Sequence, residues 1–310
     1  MLRNKAPYTA GNGTDVLVPV DFSEKSELAV DVGFELARRL GYGVTLIHAT
    51  SVVTQEQFLQ FPDDLYGLDT NSAEIEEMEV QSAVNKIDAQ RMHELEEQVK
   101  TLQASNKLPD IAYKTVTAAG TPEEVIKDYC SAQKPPVIVM ATRGKEKRSE
   151  ELIGSVTAEV IDQAIAPVMT VPEHYTFCGF KAIVNICAFC YFDEGDTIAI
   201  KHLMEMFGHP EVTIHLFPAV SKPKGEAMKE KLQALETSLK KEYPQANFKA
   251  ADVADIENLR SEVEKYFQAH NIQMILAPNK RRYGLGRIFN PGLAHKVLYE
   301  VDFPMFAFPV

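Results

Sequence analysis

Short, continuously apolar runs alternate along this chain with longer segments in which apolar residues recur about every four positions. The first run is Val16–Val20. It is followed by a segment with Leu28, Val32 and Leu36 on one helical face, and then by a second run, Val44–Ala49. Runs of this kind are typical of strands buried on both faces, which belong to parallel sheets with helical crossovers. The pattern predicts a doubly wound α/β fold.

The same alternation continues to about residue 172. A long helix is predicted over 73–104, with a solvated glutamate-rich face and an apolar face comprising Val84, Ile87, Leu95, Val99 and Leu102. A third strand is predicted over 111–118. Thr121 and Pro122 then supply an N-cap and a first helical residue. Strands at Pro136–Ala141 and Pro167–Val171 complete a mostly parallel, five-stranded sheet.

The second half repeats this order of elements. Its predicted strands corresponding to the first, second and fourth strands are Ala182–Ile186, Val212–Phe217 and Ile272–Ala277. Asp255 is predicted to open a further helix, and Ala158–Pro172 aligns without a gap over His295–Pro309, 137 positions later. The sequence therefore predicts two tandem domains, 1–173 and 179–310.

Composition narrows the class of protein. A chain of 310 residues can bury two cores, and a formal net charge of −12 argues against a general nucleic-acid or anionic-membrane surface. The longest apolar runs, such as Pro135–Ala141, are too short to cross a bilayer, and the N-terminus lacks the apolar stretch of a signal peptide. Four cysteines are too few for a disulfide framework. We therefore expect a cytoplasmic protein with no nucleic-acid or membrane partner.

Ligands of doubly wound sheets bind outside the carboxyl ends of the strands. Asp21 follows the first predicted strand, and a second candidate segment follows the fourth, comprising Met140, Ala141, Thr142, Arg143 and Gly144. Nine residues later, Gly154 and Ser155 stand at a predicted helix start, where unpaired N–H groups and the helix dipole favour an anion. Ser155 and Thr157 add hydroxyl groups. In the competing interpretation, Gly144 forms a turn, Ser155 is an ordinary N-cap and Asp21 caps the first helix.

Three stretches carry a resemblance to a known family. They are VLVPVDFSEKSELAVDVGFELA, GTPEEVI, and MATRG followed after nine residues by GSVTAEVIDQAIAPVMTVP. Together they resemble the universal stress protein family, well over Asp15–Pro172 and weakly over Phe180–Val310. The resemblance implies an adenine nucleotide alpha hydrolase-like fold. It also implies that the two halves pack as an intrachain pseudo-dimer through their last strands, Val168–Val171 and Met305–Phe308.

By the same resemblance, the first half would bind ATP or another adenine nucleotide. Asp21 would face the ribose and the Ala49 backbone would face adenine. The phosphates would lie against Gly144, Gly154, Ser155 and Val156. Ala141 departs from the family motif, because it occupies the place of the first glycine. Its methyl group would be harmless at a negative φ and would otherwise block the nucleotide.

The second half departs further from the motif. Position 21 corresponds to Cys187 or Tyr191, and the phosphate segment corresponds to Pro278 and Pro291, neither of which has a backbone N–H. We therefore expect one nucleotide per chain. Cys187 and Cys190 form a lone CxxC motif, which is typical of two reduced, partly buried thiols.

The residues favour a binding protein over a dedicated enzyme. No Ser–His–Asp set, metal-ligand cluster or carboxylate pair stands out in the sequence, so slow ATP hydrolysis is the most that we expect. His48 and His215 are interpreted as polar residues packed at strand ends. The predicted function is that of a stress-response or signalling protein. A pure interaction protein and a sensor of a small apolar ligand, with Ser51–Thr70 as its lid, stay open, as does a homodimer of the tandem chain.

Overall fold

A computed structural model describes residues 14–51, 73–142, 155–207, 211–219, 225–252, 259–279 and 303–310. The first half contains, in chain order, β1 (Asp15–Pro19), α1 (Glu24–Leu40), β2 (Gly43–Thr50), α2 (Ala73–Ala104), β3 (Tyr113–Ala119), α3 (Pro122–Gln133), β4 (Ile138–Thr142), α4 (Ser155–Gln163) and β5 (Val168–Pro172). The second half contains a 3-10 turn (Phe180–Ala182), β6 (Asn185–Cys190), α5 (Glu194–Phe207), β7 (Thr213–Pro218), α6 (Gly225–Glu242), β8 (Asn247–Ala250), α7 (Leu259–His270), β9 (Met274–Asn279) and β10 (Met305–Pro309).

All of these strands belong to one ten-stranded sheet with the order β3-β2-β1-β4-β5-β10-β9-β6-β7-β8. Within each half, neighbouring strands are parallel, and the two halves have the same order read from their outer edges inward. The halves meet where β5 and β10 pair antiparallel, with Met305 opposite Thr170 and Ala307 opposite Val168. The predicted doubly wound α/β fold and the packing of the halves through their last strands are confirmed.

Successive strand residues point to opposite sides of the sheet, and helices cover both sides. Val16 and Val18 belong to one core, which α1, α2, α5 and α6 cover, whereas Leu17 belongs to the other, which α3, α4 and α7 cover. Each core contains residues of both halves. Burial on both faces accounts for the continuously apolar runs from which the strands were predicted.

The start of the second half differs from the prediction. The strand expected at Ala182–Ile186 begins at Asn185, and the backbone before it forms the 3-10 turn. The side-chain oxygen of Gln273 accepts hydrogen bonds from the backbone N–H groups of Val184, at 2.8 Å, and Asn185, at 3.0 Å. A side chain therefore occupies the place where a neighbouring strand would pair. Asp255, the predicted start of α7, lies outside the described residues.

Helix α2 has the predicted bounds, and Leu95, Val99 and Leu102 of its predicted apolar face pack in the core, but Ile87 does not. Ile87 is 49% exposed, although its spacing assigned it to the apolar face. Asp88 is buried instead, between Val80 and Met92 on the side that faces the sheet. The prediction for Ile87 was wrong, because the helix directs Asp88 and not Ile87 towards β2, where Oδ2 of Asp88 lies 3.4 Å from Nε2 of His48. The N-terminus of α3 is as predicted, with the Thr121 hydroxyl accepting from the backbone N–H of Glu124 at 3.4 Å.

His215 lies inside β7 and not at a strand end, so its predicted place was wrong. Its Nδ1 is 2.9 Å from the Tyr266 hydroxyl, and its Nε2 is 3.2 Å from Oδ1 of Asn185. A neutral imidazole satisfies both contacts, because the phenol donates to Nδ1 and Nε2–H donates to the amide oxygen. Burial, followed by the charges of His270 and Lys249, lowers the pKa of His215 to about 4.

The neutral His215 network predicts a loss of stability in acid. The pKa of His215 is about 4 in the folded state and near 6.5 when unfolded, so the unfolded chain binds more protons between these values. The free energy of unfolding should fall, by about 2 kcal/mol, as the pH drops from about 6.5 towards 4. Urea unfolding of His215→Gln should show a weaker dependence over this range. His93→Gln, at an exposed position of α2, should keep the wild-type slope, and an unchanged slope in His215→Gln would contradict the assignment.

Candidate functional site

A cavity of about 390 Å³ opens at the carboxyl ends of the first-half strands. The strand order reverses between β1 and β4, so the connections that leave these two strands diverge and form a crevice. The lining contains six of the residues predicted from sequence, namely Asp21, Ala49, Ala141, Thr142, Val156 and Thr157. Residues that are distant in sequence thus converge on one cavity.

The other predicted site residues do not line this cavity in the described part of the chain. Met140 is buried in the core shared by α3 and α4, because alternate residues of β4 point to opposite faces. Arg143, Gly144 and Gly154 lie outside the described residues. Ser155 is the first residue of α4, and its side chain is likewise outside the described part.

Ser23, and not Asp21, caps helix α1. The Ser23 hydroxyl accepts from the backbone N–H of Ser26 at 3.4 Å, and it donates to Oδ1 of Asp21 at 2.5 Å. The Ser23 backbone N–H donates to the same oxygen at 3.1 Å. The interpretation of Asp21 as the cap is therefore wrong. Its carboxylate is oriented by the capping residue and stays exposed at the mouth of the cavity.

The charge of Asp21 follows from these contacts. Partial burial raises its pKa, but the hydrogen bonds from Ser23, with a contribution from Ser26, outweigh burial and hold the pKa below the ordinary value. Asp21 is therefore ionised at neutral pH. An ionised carboxylate accepts hydrogen bonds and donates none, which suits a ligand that offers hydroxyl groups.

The turn between β1 and α1 has an unusual backbone conformation. Phe22 adopts a φ of 60°, a left-handed value that bulky residues rarely take, and its ring lies 4.4 Å from the His48 ring, centroid to centroid. Phe192 has a φ of 63° in the corresponding turn of the second half. The turn redirects the chain so that Asp21 and Ser23 lie at the cavity mouth.

His48 links three elements at the edge of the cavity. Its Nδ1 lies 2.8 Å from the Val20 carbonyl oxygen, so Nδ1 carries a proton and donates, and its Nε2 lies 3.4 Å from Oδ2 of Asp88 in α2. Because both ring nitrogens are directed towards protein atoms, His48 is poorly placed to exchange a proton with a ligand. It holds the end of β2, and with it Ala49, against β1 and α2. Sequence reasoning missed Asp88, whose only signal is a carboxylate at an apolar position of a helix.

The start of α4 is attached to the end of β4. The buried Thr157 hydroxyl donates to the carbonyl oxygen of Ala141 at 3.4 Å, so this proton is directed to the protein and not towards the cavity. Ala141 belongs to β4 and pairs opposite Val171, which gives it an extended backbone. Its conformation therefore does not require glycine. The first turn of α4 lies beside the cavity. Like the first turn of any helix, it has backbone N–H groups without a partner inside the helix.

Strand register shows which second-half residues correspond to the site. Asp15 pairs opposite Gly43 and Asn185 opposite Thr213, so the segment from β1 to β2 superposes without a gap on the segment from β6 to β7, and Asp21 corresponds to Tyr191, not Cys187. By the same registers, Ala49 corresponds to Ala219, Ala141 to Pro278 and Thr142 to Asn279.

In the second half, a carboxylate of α5 binds the turn that follows β6. Buried Asp196 accepts hydrogen bonds from the backbone N–H groups of Tyr191, at 2.9 Å, and Phe192, at 2.6 Å. Burial raises the pKa of Asp196, and these two hydrogen bonds partly offset the rise. The N–H groups that follow β6 are therefore occupied by the protein.

The thiols of Cys187 and Cys190 are fully buried, and burial raises the pKa of each well above the ordinary value. The Cys190 thiol donates to the Ala188 carbonyl oxygen at 3.4 Å. Such thiols are poor nucleophiles because little thiolate forms near neutral pH. Within the described ranges, no group of three His, Cys, Asp or Glu side chains is arranged to hold a metal ion.

Comparison with known proteins identifies the family of this chain. The family model described as the universal stress protein family matches residues 14–172, about half of the chain. The chain belongs to the universal stress protein family. Over 161 residues it is 28% identical to universal stress protein MJ0577 of Methanocaldococcus jannaschii, a match that covers 50% of this chain and 93% of that protein.

Solved structures extend the likeness of this universal stress protein to both halves. A universal stress protein from Archaeoglobus fulgidus superposes with a TM-score of 0.62 at 15% identity, over 96% of this chain and 99% of that one. A functionally unknown protein, PA1789 from Pseudomonas aeruginosa PAO1, superposes with a TM-score of 0.54 at 12% identity, over 96% of this chain and 93% of that one. At these identities the comparison establishes the fold. In the parts of the chain with described structure, no helix is both long and apolar enough to span a bilayer.

The Ser23 contacts predict two linked effects of one substitution. Ser23→Ala removes the N-cap of α1, so the free energy of unfolding should fall by about 1 kcal/mol in urea titration. It also removes a hydrogen bond to Asp21, so NMR titration should show a higher Asp21 pKa. Ser131→Ala is the control, because this exposed hydroxyl bonds only the Lys127 carbonyl within α3. Its effect on stability should stay within about 0.5 kcal/mol, with Asp21 unaffected. An unchanged Asp21 in Ser23→Ala would refute the orientation by Ser23.

Proposed function

We propose that this protein binds one adenine nucleotide per chain, ATP or a close relative, in the cavity of a first domain spanning 1–173, and that it acts as a cytoplasmic stress-response or signalling protein. The domain spanning 179–310 is its degenerate partner. The observation that carries the proposal is the convergence of Asp21, Ala49 and the α4 N-terminus on one cavity of about 390 Å³. Small-molecule sites commonly have volumes of about 300 to 1,000 Å³.

The cavity lining varies in a way that suits the parts of a nucleotide. Pro122, Val125 and Ile126 of the α3 region give it an apolar side for a base, next to the Ala49 backbone. Asp21 is ionised and exposed, so it can accept hydrogen bonds from ribose hydroxyl groups. The first turn of α4, at Val156, suits phosphates because helix N-termini bind anions.

Family membership and the motif support the same ligand. The chain retains Gly144, Gly154 and Ser155 of the phosphate motif to which it is similar. Ala141 replaces the first glycine of that motif, but its extended backbone in β4 needs no glycine. Ala141 was the main reason to consider an interaction protein that binds no nucleotide. Its backbone conformation gives no argument against binding.

The second half supports the proposal of a single site per chain. Tyr191 stands in place of Asp21, so no carboxylate is available at that position for a ribose. Pro278 stands in place of Ala141 and lacks a backbone N–H. Asp196 already occupies the N–H groups of the turn after β6. Each substitution removes a feature that a preorganised nucleotide site uses.

The described site favours binding over catalysis. His48 is the histidine of the described lining, and both of its ring nitrogens are directed towards protein atoms. Asp21 is held ionised by hydrogen bonds, and a carboxylate of lowered pKa is a weak base. We therefore propose ligand binding, with slow ATP hydrolysis as the upper limit of activity.

Calorimetric titration of the full chain with ATP tests this proposal, and we expect a stoichiometry of one. Ala49→Leu adds bulk beside Val125 and should weaken binding by at least about tenfold, because a packed cavity cannot accept both groups. Ala89→Leu makes the same change at an exposed position of α2 and should leave binding intact. Nucleotide released by denaturing protein purified without added ligand should contain adenine.

Two outcomes would count against it. A stoichiometry of two would show that the second half binds as well. No binding of any adenine nucleotide by the wild-type chain would overturn the proposal and favour the interaction protein.

A further inference from the structure

An ion pair stands at the edge of the cavity. Lys25, in the first turn of α1, lines the cavity, and its Nζ lies 2.9 Å from Oε2 of Glu173. Glu173 directly follows β5, and its backbone N–H donates to the carbonyl oxygen of Thr142, another lining residue, at 3.1 Å. The carboxylate partner of Lys25 is therefore anchored to the strand end that forms the cavity.

The charges of the described lining determine how the cavity would interact with an anionic ligand. The lining contains one carboxylate, Asp21, and one ammonium group, Lys25, among the residues that the structure describes. Asp21 is ionised, so it repels any anionic group in the cavity. Lys25 is the described lining group that can offset this repulsion. Its ammonium has three donors on a flexible stem, so it can move from one anion to another.

The pair is weak enough to be exchanged. The side chains of Lys25 and Glu173 are 27% and 33% exposed, so water screens their attraction. A phosphate group carries more negative charge than a carboxylate and offers more acceptor oxygens, and charge-assisted hydrogen bonds to it are strong. A phosphate in the cavity would therefore compete successfully with Glu173 for Lys25.

The second half has neither charge at the two positions that correspond to Lys25 and Glu173. By strand register, Lys25 corresponds to Gly195 and Glu173 to Val310. These residues are in close contact, because a Cβ added to Gly195 would lie 2.8 Å from a Val310 methyl group. An apolar contact thus closes the place that an ion pair occupies in the first half. The ion pair is found in the half that has Asp21 and the cavity.

We propose that Lys25 determines the specificity of this site for phosphate charge, and that Glu173 holds Lys25 in place of a phosphate when none is bound. The inference rests on the proposed function, since it assumes that the cavity takes a nucleotide. If the proposal is correct, Lys25 makes the affinity for ATP higher than the affinity for adenosine. Glu173 lowers the affinity for phosphate-bearing ligands, because such a ligand has to displace the Glu173 carboxylate from Lys25.

The test compares the affinities of adenosine and ATP by calorimetry in wild-type protein, Lys25→Gln, Glu173→Gln and the double variant. Lys25→Gln should weaken ATP binding by about tenfold and leave adenosine unchanged, as expected for loss of a charge-assisted hydrogen bond. Glu173→Gln should strengthen ATP binding by about threefold, because Lys25 loses its competitor. The double variant should match Lys25→Gln, since Glu173 acts through Lys25.

Lys114→Gln is the matched control. Lys114 pairs with Asp15 at 2.7 Å at the opposite ends of the strands, so its loss also breaks an ion pair of the first half but should not change the ratio of the two affinities. Thermal unfolding verifies that each variant is folded. An unchanged ATP-to-adenosine ratio in Lys25→Gln would overturn the role of Lys25 and leave the proposed function standing. Failure of the wild-type chain to bind either ligand would overturn both.

Discussion

The antiparallel pairing of β5 with β10 is the contact on which the architecture depends. All five residues of each strand are buried, so each half alone would end in an apolar edge strand with unpaired backbone groups. Pairing satisfies both edges and joins the cores, each of which contains residues of both halves. In each half the first strand, β1 or β6, lies at the centre of its five strands. The reversal beside β1 is what opens the first-half cavity.

Sequence reasoning succeeded where burial alone determines structure. Strands buried on both faces must be apolar throughout, and α2 must repeat its apolar residues along a face, so both could be predicted. Edge strand β8 was missed because it has no apolar run. Of its four residues, Phe248 alone is buried. One residue of α2, Ile87, was misassigned because periodicity records only where apolar residues recur. It cannot show that a carboxylate, Asp88, is buried on the same helix beside His48.

The candidate site divides in the same way. Residues that follow strand ends, such as Asp21 and Ala49, could be predicted because parallel strands bring their carboxyl ends to one edge. The ion pair of Lys25 with Glu173 could not, because its partners lie on different elements and meet only through the register of β4 and β5. The orienting role of Ser23 was also missed, since a serine before a helix has the same sequence signature whether or not it holds a neighbouring carboxylate.

The left-handed phenylalanines after β1 and β6 mark a backbone feature that both halves share although their side chains differ. A bulky residue at a positive φ costs about 1 kcal/mol, yet Phe22 and Phe192 both adopt it. The side chains around them differ, with Asp21 in one half and Tyr191 in the other. In terms of ancestry, the turn is the part of the unit that could not change without losing the passage from strand to helix. The residues beside it were free to diverge, so Asp21 and Tyr191 occupy equivalent positions on the same backbone turn.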